Sequence, residues 1–210
     1  MIKVKNVTKK FKEKVVLQDV SVHFGKGKIS GIVGRNGSGK TMLMKCICGF
    51  VLPTSGTIEV DGKCIGTDVD FIEDTGVIIE TPGFISYQSG MANLHNLASI
   101  RKKIGKEEME KSMEAVGLDP HSKLHVGKYS LGMRQRLGIA QAIMENPGIL
   151  ILDEPMNGLD NQGVEDIRKI LLDLKEQGKT ILIASHNKED IDILCDHVWE
   201  MDQGIAKQLR

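Results

Sequence analysis

The chain has 210 residues, of which 40% are hydrophobic and 27% charged, with 28 Lys+Arg balanced by 28 Asp+Glu. That length supports one sizeable core, and the charge balance leaves no excess of cations to neutralise a nucleic-acid backbone, so nucleic acid is not an expected partner. The opening Met1-Ile2-Lys3-Val4-Lys5 interleaves charge where a secretory leader needs an apolar run, and no segment approaches the roughly 18 apolar residues of a membrane span.

The first elements read as β-structure. Ile2 to Val7 alternates, Val15 to Leu17 is apolar, and Val20 to Phe24 alternates again before the turn at Gly25-Lys26-Gly27. These predict an antiparallel sheet, with Lys9, Lys10, Lys12 and Lys14 as a solvated basic face. The next run, Ile29 to Val33, is almost wholly apolar, as a parallel strand covered on both faces is. It leads into Gly34-Arg35-Asn36-Gly37-Ser38-Gly39-Lys40-Thr41, which satisfies G-x-x-x-x-G-K-[ST] at every fixed position, followed by the helical Met42-Leu43-Met44-Lys45. Glycines let backbone N–H groups wrap a phosphate and the helix N-terminus adds partial positive charge. Lys40 then reaches the β- and γ-phosphates, and Thr41 offers its hydroxyl to Mg²⁺. The segment from Gly34 through Asn36, Gly37, Ser38 and Gly39 to Lys40, Thr41 and Met42 is therefore the expected contact surface for ATP.

From residue 81 to 144 the pattern changes to polar, Met-containing helical stretches punctuated by Pro82, Gly83, Gly90, Gly105, Gly117 and Pro120. This predicts a helical lobe inserted in a core lobe of residues 1–80 and 145–210. Within it, Ser130 stands at the N-cap position of a helix from Leu131 to about Glu145. The second apolar strand, Ile149 to Leu152, ends in Asp153-Glu154-Pro155, a carboxylate to hold Mg²⁺ and a neighbour to polarise water. A crossover helix follows, with Val164, Ile167, Ile170, Leu171 and Leu174 on one face and Gly178 as its stop. The third strand, Ile181 to Ala184, ends in Ser185-His186. Ligands of open α/β sheets lie beyond the carboxyl ends of the strands, so these three chemically loaded ends predict one shared site. The fold class is α/β, a mostly parallel core sheet with an N-terminal antiparallel β subdomain and an inserted helical lobe. The cysteines Cys46, Cys48, Cys64 and Cys195 form no C-x-x-C pair and read as core or surface residues of a reducing compartment.

Tyr129-Ser130-Leu131-Gly132-Met133-Arg134-Gln135-Arg136 resembles the signature segment of the ABC ATPases, a family of P-loop NTPases. The resemblance extends over nearly the whole chain. It implies that Asn157-Gly158-Leu159-Asp160 is the D-loop, His186 the histidine switch that arranges the attacking water, and Phe11 the aromatic that stacks on adenine. It further implies that Glu154 is the general base, that Asp153, Thr41 and Glu80 face the metal, and that Ser130, Gly132 and Asp160 approach nucleotide across a head-to-tail homodimer. A transmembrane permease would be the other partner, placing the chain in the cytoplasm on the inner face of the membrane.

Two departures stand out. Leu131 and Met133 replace the signature's usual glycine and glutamine, and Glu80 stands where the family commonly has glutamine, with Gln88 farther along as a possible replacement. Glu80-Thr81-Pro82-Gly83-Phe84, together with the altered signature, resembles the subgroup tied to bacitracin and lantibiotic self-protection, which implies export of a peptide antibiotic or similar amphiphile. The alternatives are a soluble ABC ATPase acting on ribosome or DNA, against which stand the single P-loop and absence of a heptad insertion, and a nucleotide sensor that hydrolyses poorly.

Overall fold

A computed structural model describes residues 1–210. Its elements run in chain order β1 (Ile2–Phe11), β2 (Lys14–Phe24), β3 (Ile29–Val33), α1 (Lys40–Cys48), β4 (Ser55–Val60), β5 (Lys63–Cys64), β6 (Thr75–Ile78), α2 (Gly90–Arg101), α3 (Lys106–Ala115), α4 (Leu131–Ile143), β7 (Ile149–Asp153), α5 (Asn161–Glu176), β8 (Thr180–Ala184), α6 (Lys188–Leu194), β9 (His197–Asp202) and β10 (Ile205–Gln208). They form two sheets, a four-stranded one ordered β2-β1-β4-β5 and a six-stranded one ordered β10-β9-β3-β8-β7-β6. The smaller is antiparallel throughout; in the larger only β10 runs against its neighbour.

The uninterrupted apolar runs of β3, β7 and β8 have a direct packing cause. Successive side chains on a strand point to opposite faces, and both faces of the large sheet are covered. Ile32, Ile149, Ile151, Leu182 and Ala184 pack with Leu43, Met44 and Ile47 of α1 and the inner face of the small sheet. Ile29, Leu150, Leu152, Ile181 and Ile183 pack on the opposite face with Ile167 and Leu171 of α5 and with the helices between residues 90 and 143. Cys46, Cys48 and Cys195 are buried in these cores, and Cys64 is half-buried.

The amino-terminal hairpin is longer than its alternation predicts. β1 and β2 are continuous strands whose register slips after Val4, Val7 and Lys9, and Asn6 and Asp19 take left-handed backbone angles of 48° and 49°. These irregularities shift the side-chain phase and break the apolar alternation into the short pieces visible in the sequence. Two of the predicted breaks in the helical lobe are helix starts. Ser89 caps α2, accepting from Ala92 N at 3.2 Å, so Gly90 is the first helical residue. Gly105 is the N-cap of α3, and its N–H donates to Glu108 Oε2 at 2.9 Å.

α5 and α6 are tied by an ion pair inside the protein. Arg168 and Asp190 are 4% and 2% exposed, with Nη2 and Nε reaching Asp190 Oδ1 at 2.6 and 2.9 Å. Removing one partner strands a buried charge, whereas replacing both with apolar groups does not. Arg168→Met should therefore cost about 3–5 kcal/mol of unfolding free energy. Urea denaturation should then show most of that loss recovered in the Arg168→Met, Asp190→Leu double variant.

Candidate functional site

The carboxyl ends of β3, β7 and β8 open on a cavity of about 770 Å³. Asn36, Gly37, Gly39, Lys40, Thr41 and Met42 form one wall, Asp153, Glu154 and Glu80 the opposite one, and Lys14, Val15 and Val16 of β2 one end. A second cleft of similar size lies in the helical lobe between α2 and α3, lined by Met91, His95, Asn96 and Met109; none of the loaded strand ends reaches it.

The glycine loop is fixed by close backbone approaches. Gly34 has φ 148°, and a Cβ there would lie 2.2 Å from Met201 O and 2.7 Å from Ser38 Oγ; at Gly39, with φ 111°, it would meet Met201 Cε, Leu17 Cδ2 and Val16 O at 3.0–3.1 Å. The Ser38 hydroxyl is buried without a hydrogen-bond partner. Lys40, 6% exposed, folds its ammonium over the loop and donates to Gly34 O at 2.7 Å and Arg35 O at 3.2 Å. A buried cation held over a glycine loop, with an unpartnered hydroxyl nearby, fits a bound polyphosphate.

Across the cavity the Thr41 hydroxyl donates to Asp153 Oδ2 at 2.6 Å. Burial raises the Asp153 carboxyl above the usual carboxylate range; the Thr41 hydrogen bond opposes this, and the neighbouring Glu154 reinforces it. An alcohol and a half-buried carboxylate in contact are the hard oxygen donors that suit Mg²⁺. Glu154 takes a left-handed φ of 51°, and its N–H donates to Ala184 O at 2.8 Å. Its Oε2 lies 2.9 Å from His186 Nδ1 and accepts from the His186 N–H at 3.4 Å. The carboxylate and the imidazole are thus joined across the ends of β7 and β8. Glu80, φ 62°, accepts from Lys45 Nζ at 2.7 Å.

The remaining predicted residues lie off these walls. Phe11 is 47% exposed and pairs with Lys14 at the hairpin end, while its neighbours from Lys14 to Val16 line the cavity. Lys9 Nζ sits 4.8 Å from the Phe11 ring centroid. Ser130 caps α4, accepting from Met133 N at 3.1 Å, and Asp160 caps α5, accepting from Gly163 N at 2.9 Å. Neither they nor Gly132 border the cavity. Instead the signature turn presses on the D-loop of its own chain: a Cβ on Gly132 would come within 2.8 Å of Gly158 O, and one on Gly158 within 2.5 Å of Leu131 Cγ. Gln88 accepts from Asn96 at 2.6 Å and is also absent from the walls.

Sequence reasoning missed Lys45, Gln203 and Gly204, all on the cavity wall. Gly204 donates to Ser38 O at 2.9 Å and accepts from Gln18 N at 2.8 Å, so the turn between β9 and β10 clamps the loop from outside. The Asp202-Gln203-Gly204 turn is a recognisable local signal, but nothing in it points to residue 38.

Such a glycine loop between a parallel strand and a helix, facing an Asp-Glu strand end, defines a P-loop nucleotide-hydrolysing protein. The chain belongs to the ABC transporter family, whose pattern it matches over residues 17–157, and it is an ATP-binding, ATP-hydrolysing subunit of that family. It is 45% identical over 97% of its length to the uncharacterized ABC transporter ATP-binding protein YybJ of Bacillus subtilis, covering 94% of that protein. It is 43% identical to the bacitracin transport ATP-binding protein BcrA of Enterococcus faecalis, covering 97% of this chain and 67% of the relative. The lantibiotic transport ATP-binding protein SrtF of Streptococcus pyogenes is 34% identical, over 97% and 88% of the two chains. Among solved structures, the dimeric bacterial ABC transporter cassette MJ0796 superposes with a TM-score of 0.88 at 26% identity, over 100% of this chain and 99% of that one. A dimeric post-hydrolysis state of MJ0796 bound to ADP and phosphate gives 0.87 at 25% identity, with the same coverage.

Because the folded environment raises the Asp153 carboxyl, its contribution to stability is fully present below the ordinary carboxylate value and is lost as pH rises through the raised one. Without nucleotide, Asp153→Asn should therefore melt higher than the unaltered chain at neutral pH. Melting curves recorded down to the acid range should show that gap closing.

Proposed function

We propose that the chain powers export of a peptide antibiotic or similar amphiphile through a separate membrane permease, working as a head-to-tail pair of identical cassettes on the inner face of the membrane. The observation that carries the catalytic part is the convergence of the Lys40 loop, Asp153 and the Glu154–His186 pair at the ends of three neighbouring strands. The export reading rests on the likeness to BcrA and SrtF and on the Glu80 and Leu131 departures.

In this reading Lys40 and the loop N–H groups hold the β- and γ-phosphates of ATP, Met42 borders them, and Phe11 stacks on the adenine. Thr41 and Asp153 would hold Mg²⁺, with Glu80 beside them on the same wall in its ion pair with Lys45; the ion would supply charge neutralisation on the phosphates. Glu154 accepts the proton of the attacking water while His186 fixes the carboxylate and donates toward the γ-phosphate, giving ADP and inorganic phosphate. Phosphoryl transfer needs positioning and charge stabilisation more than covalent participation, which these groups supply.

Ser130, Gly132 and Asp160 lie off the cavity of their own chain, which supports their serving the partner cassette. Ser130 caps a 13-residue helix, whose N-terminal partial charge favours an anion. No helix is long and apolar enough to cross a membrane.

Glu154→Gln should abolish phosphate release while ATP binding persists, and gel filtration in ATP should find the variant as a dimer; normal turnover would remove Glu154 from its role. Lys40→Ala should lose ATP binding, and an unchanged affinity by titration would sink the loop assignment. Capture of the Glu154→Gln chain from mild-detergent extracts should bring down a multi-spanning protein, whereas ribosomal or DNA-bound partners would favour the soluble alternative.

A further inference from the structure

Thr41 and Lys45 lie one turn apart on α1 and so share a face. Each takes a carboxylate from a neighbouring strand end: Thr41 Oγ1 donates to Asp153 Oδ2 at 2.6 Å, and Lys45 Nζ to Glu80 Oε1 at 2.7 Å. The strands are adjacent and parallel, with Ile78 opposite Leu152, so Asp153 ends its strand one residue beyond that pair and Glu80 follows its own strand two residues beyond it. All four residues line the same cavity. The left-handed φ of 62° at Glu80 is a costly conformation for a non-glycine residue, one that persists only where its surroundings enforce it. The other cation on this wall, Lys40, is taken by the carbonyls of Gly34 and Arg35.

We infer that Lys45 is a positioning residue that withholds Glu80 from the metal. With its charge neutralised and an oxygen committed to the ammonium, Glu80 stays outside the coordination shell, and the metal site keeps one protein carboxylate, Asp153. Without Lys45, a second hard anionic oxygen on the same wall is free to bind. A third negative charge beside Asp153 and Glu154 tightens divalent-ion binding at the expense of release. The exposure of the Glu80 side chain, 64%, leaves the pair in high dielectric, where it is readily broken and remade. The inference rests on the reading of Thr41 and Asp153 as the metal site.

The test is Mn²⁺ affinity, read from the electron paramagnetic resonance of free and bound ion, on one-to-one complexes with a non-hydrolysable ATP analogue. Lys45→Met should tighten Mn²⁺ roughly fourfold when Glu80 is present, the scale of an exposed ion pair, and by less than about twofold in the Glu80→Gln background, a non-additivity expected of directly coupled residues. Lys45→Arg, which keeps the cation, should match the unaltered chain. Equal tightening by Lys45→Met in both backgrounds, or none in either, overturns the inference. Nucleotide complexes of every variant that bind no Mn²⁺ overturn the Thr41–Asp153 reading itself, and the inference with it.

Discussion

The close approach of Gly34 to the Met201 carbonyl fixes where the phosphate loop lies, and the loop in turn sets Lys40 and Thr41. No side chain fits between them, since a Cβ at residue 34 would sit 2.2 Å from that oxygen. β9 and the turn at Gln203 and Gly204 therefore act as an outer wall, and the loop's inner wall is α1 itself, packed between the two sheets through Leu43, Met44 and Ile47. Packed on both sides, the loop takes its shape from the fold itself, the preorganisation that electrostatic stabilisation requires.

The same economy governs the opposite side of the cavity. Asp153 ends, and His186 lies just past, strands whose side chains are committed on both faces to packing, so their positions follow from register: Leu152 opposite Ile183, Asp153 opposite Ala184. Their chemistry works against the folded state locally. Burial disfavours the ionised Asp153, and Glu154 occupies a left-handed backbone angle. Both costs are borne by the surrounding β-structure, as is common where function and stability diverge.

What the sequence displayed well was whatever is written contiguously. The glycine loop, the Asp153-Glu154 pair and His186 each sit at the end of an apolar run whose composition already declares two buried faces, so strand, loop and chemistry could be read together. Less visible was what depends on distant partners. Lys45 gives no sign that it meets Glu80, because the two are 35 residues apart. Gly204 gives none that it holds Ser38. The β1–β2 hairpin was half legible, since its bulges shift the phase on which alternation is judged. Gly90 and Gly105 read as breaks because glycine marks a helix start as readily as a stop. The D-loop and signature turn were recognisable as segments, but their mutual contact through Gly132 and Gly158 was not.

Gln135 of α4 donates its side-chain amide to the Pro155 carbonyl at 2.9 Å and to that of Glu154 at 3.3 Å. The helix that opens at Leu131 is thereby tethered to the peptide units around the Glu154 carboxylate. The tether ends at residues 154 and 155, where a left-handed residue precedes a ring-locked proline and few other backbone angles are open. The placement of α4 and the aim of the Glu154 carboxylate are thus tied together through two hydrogen bonds from one side chain.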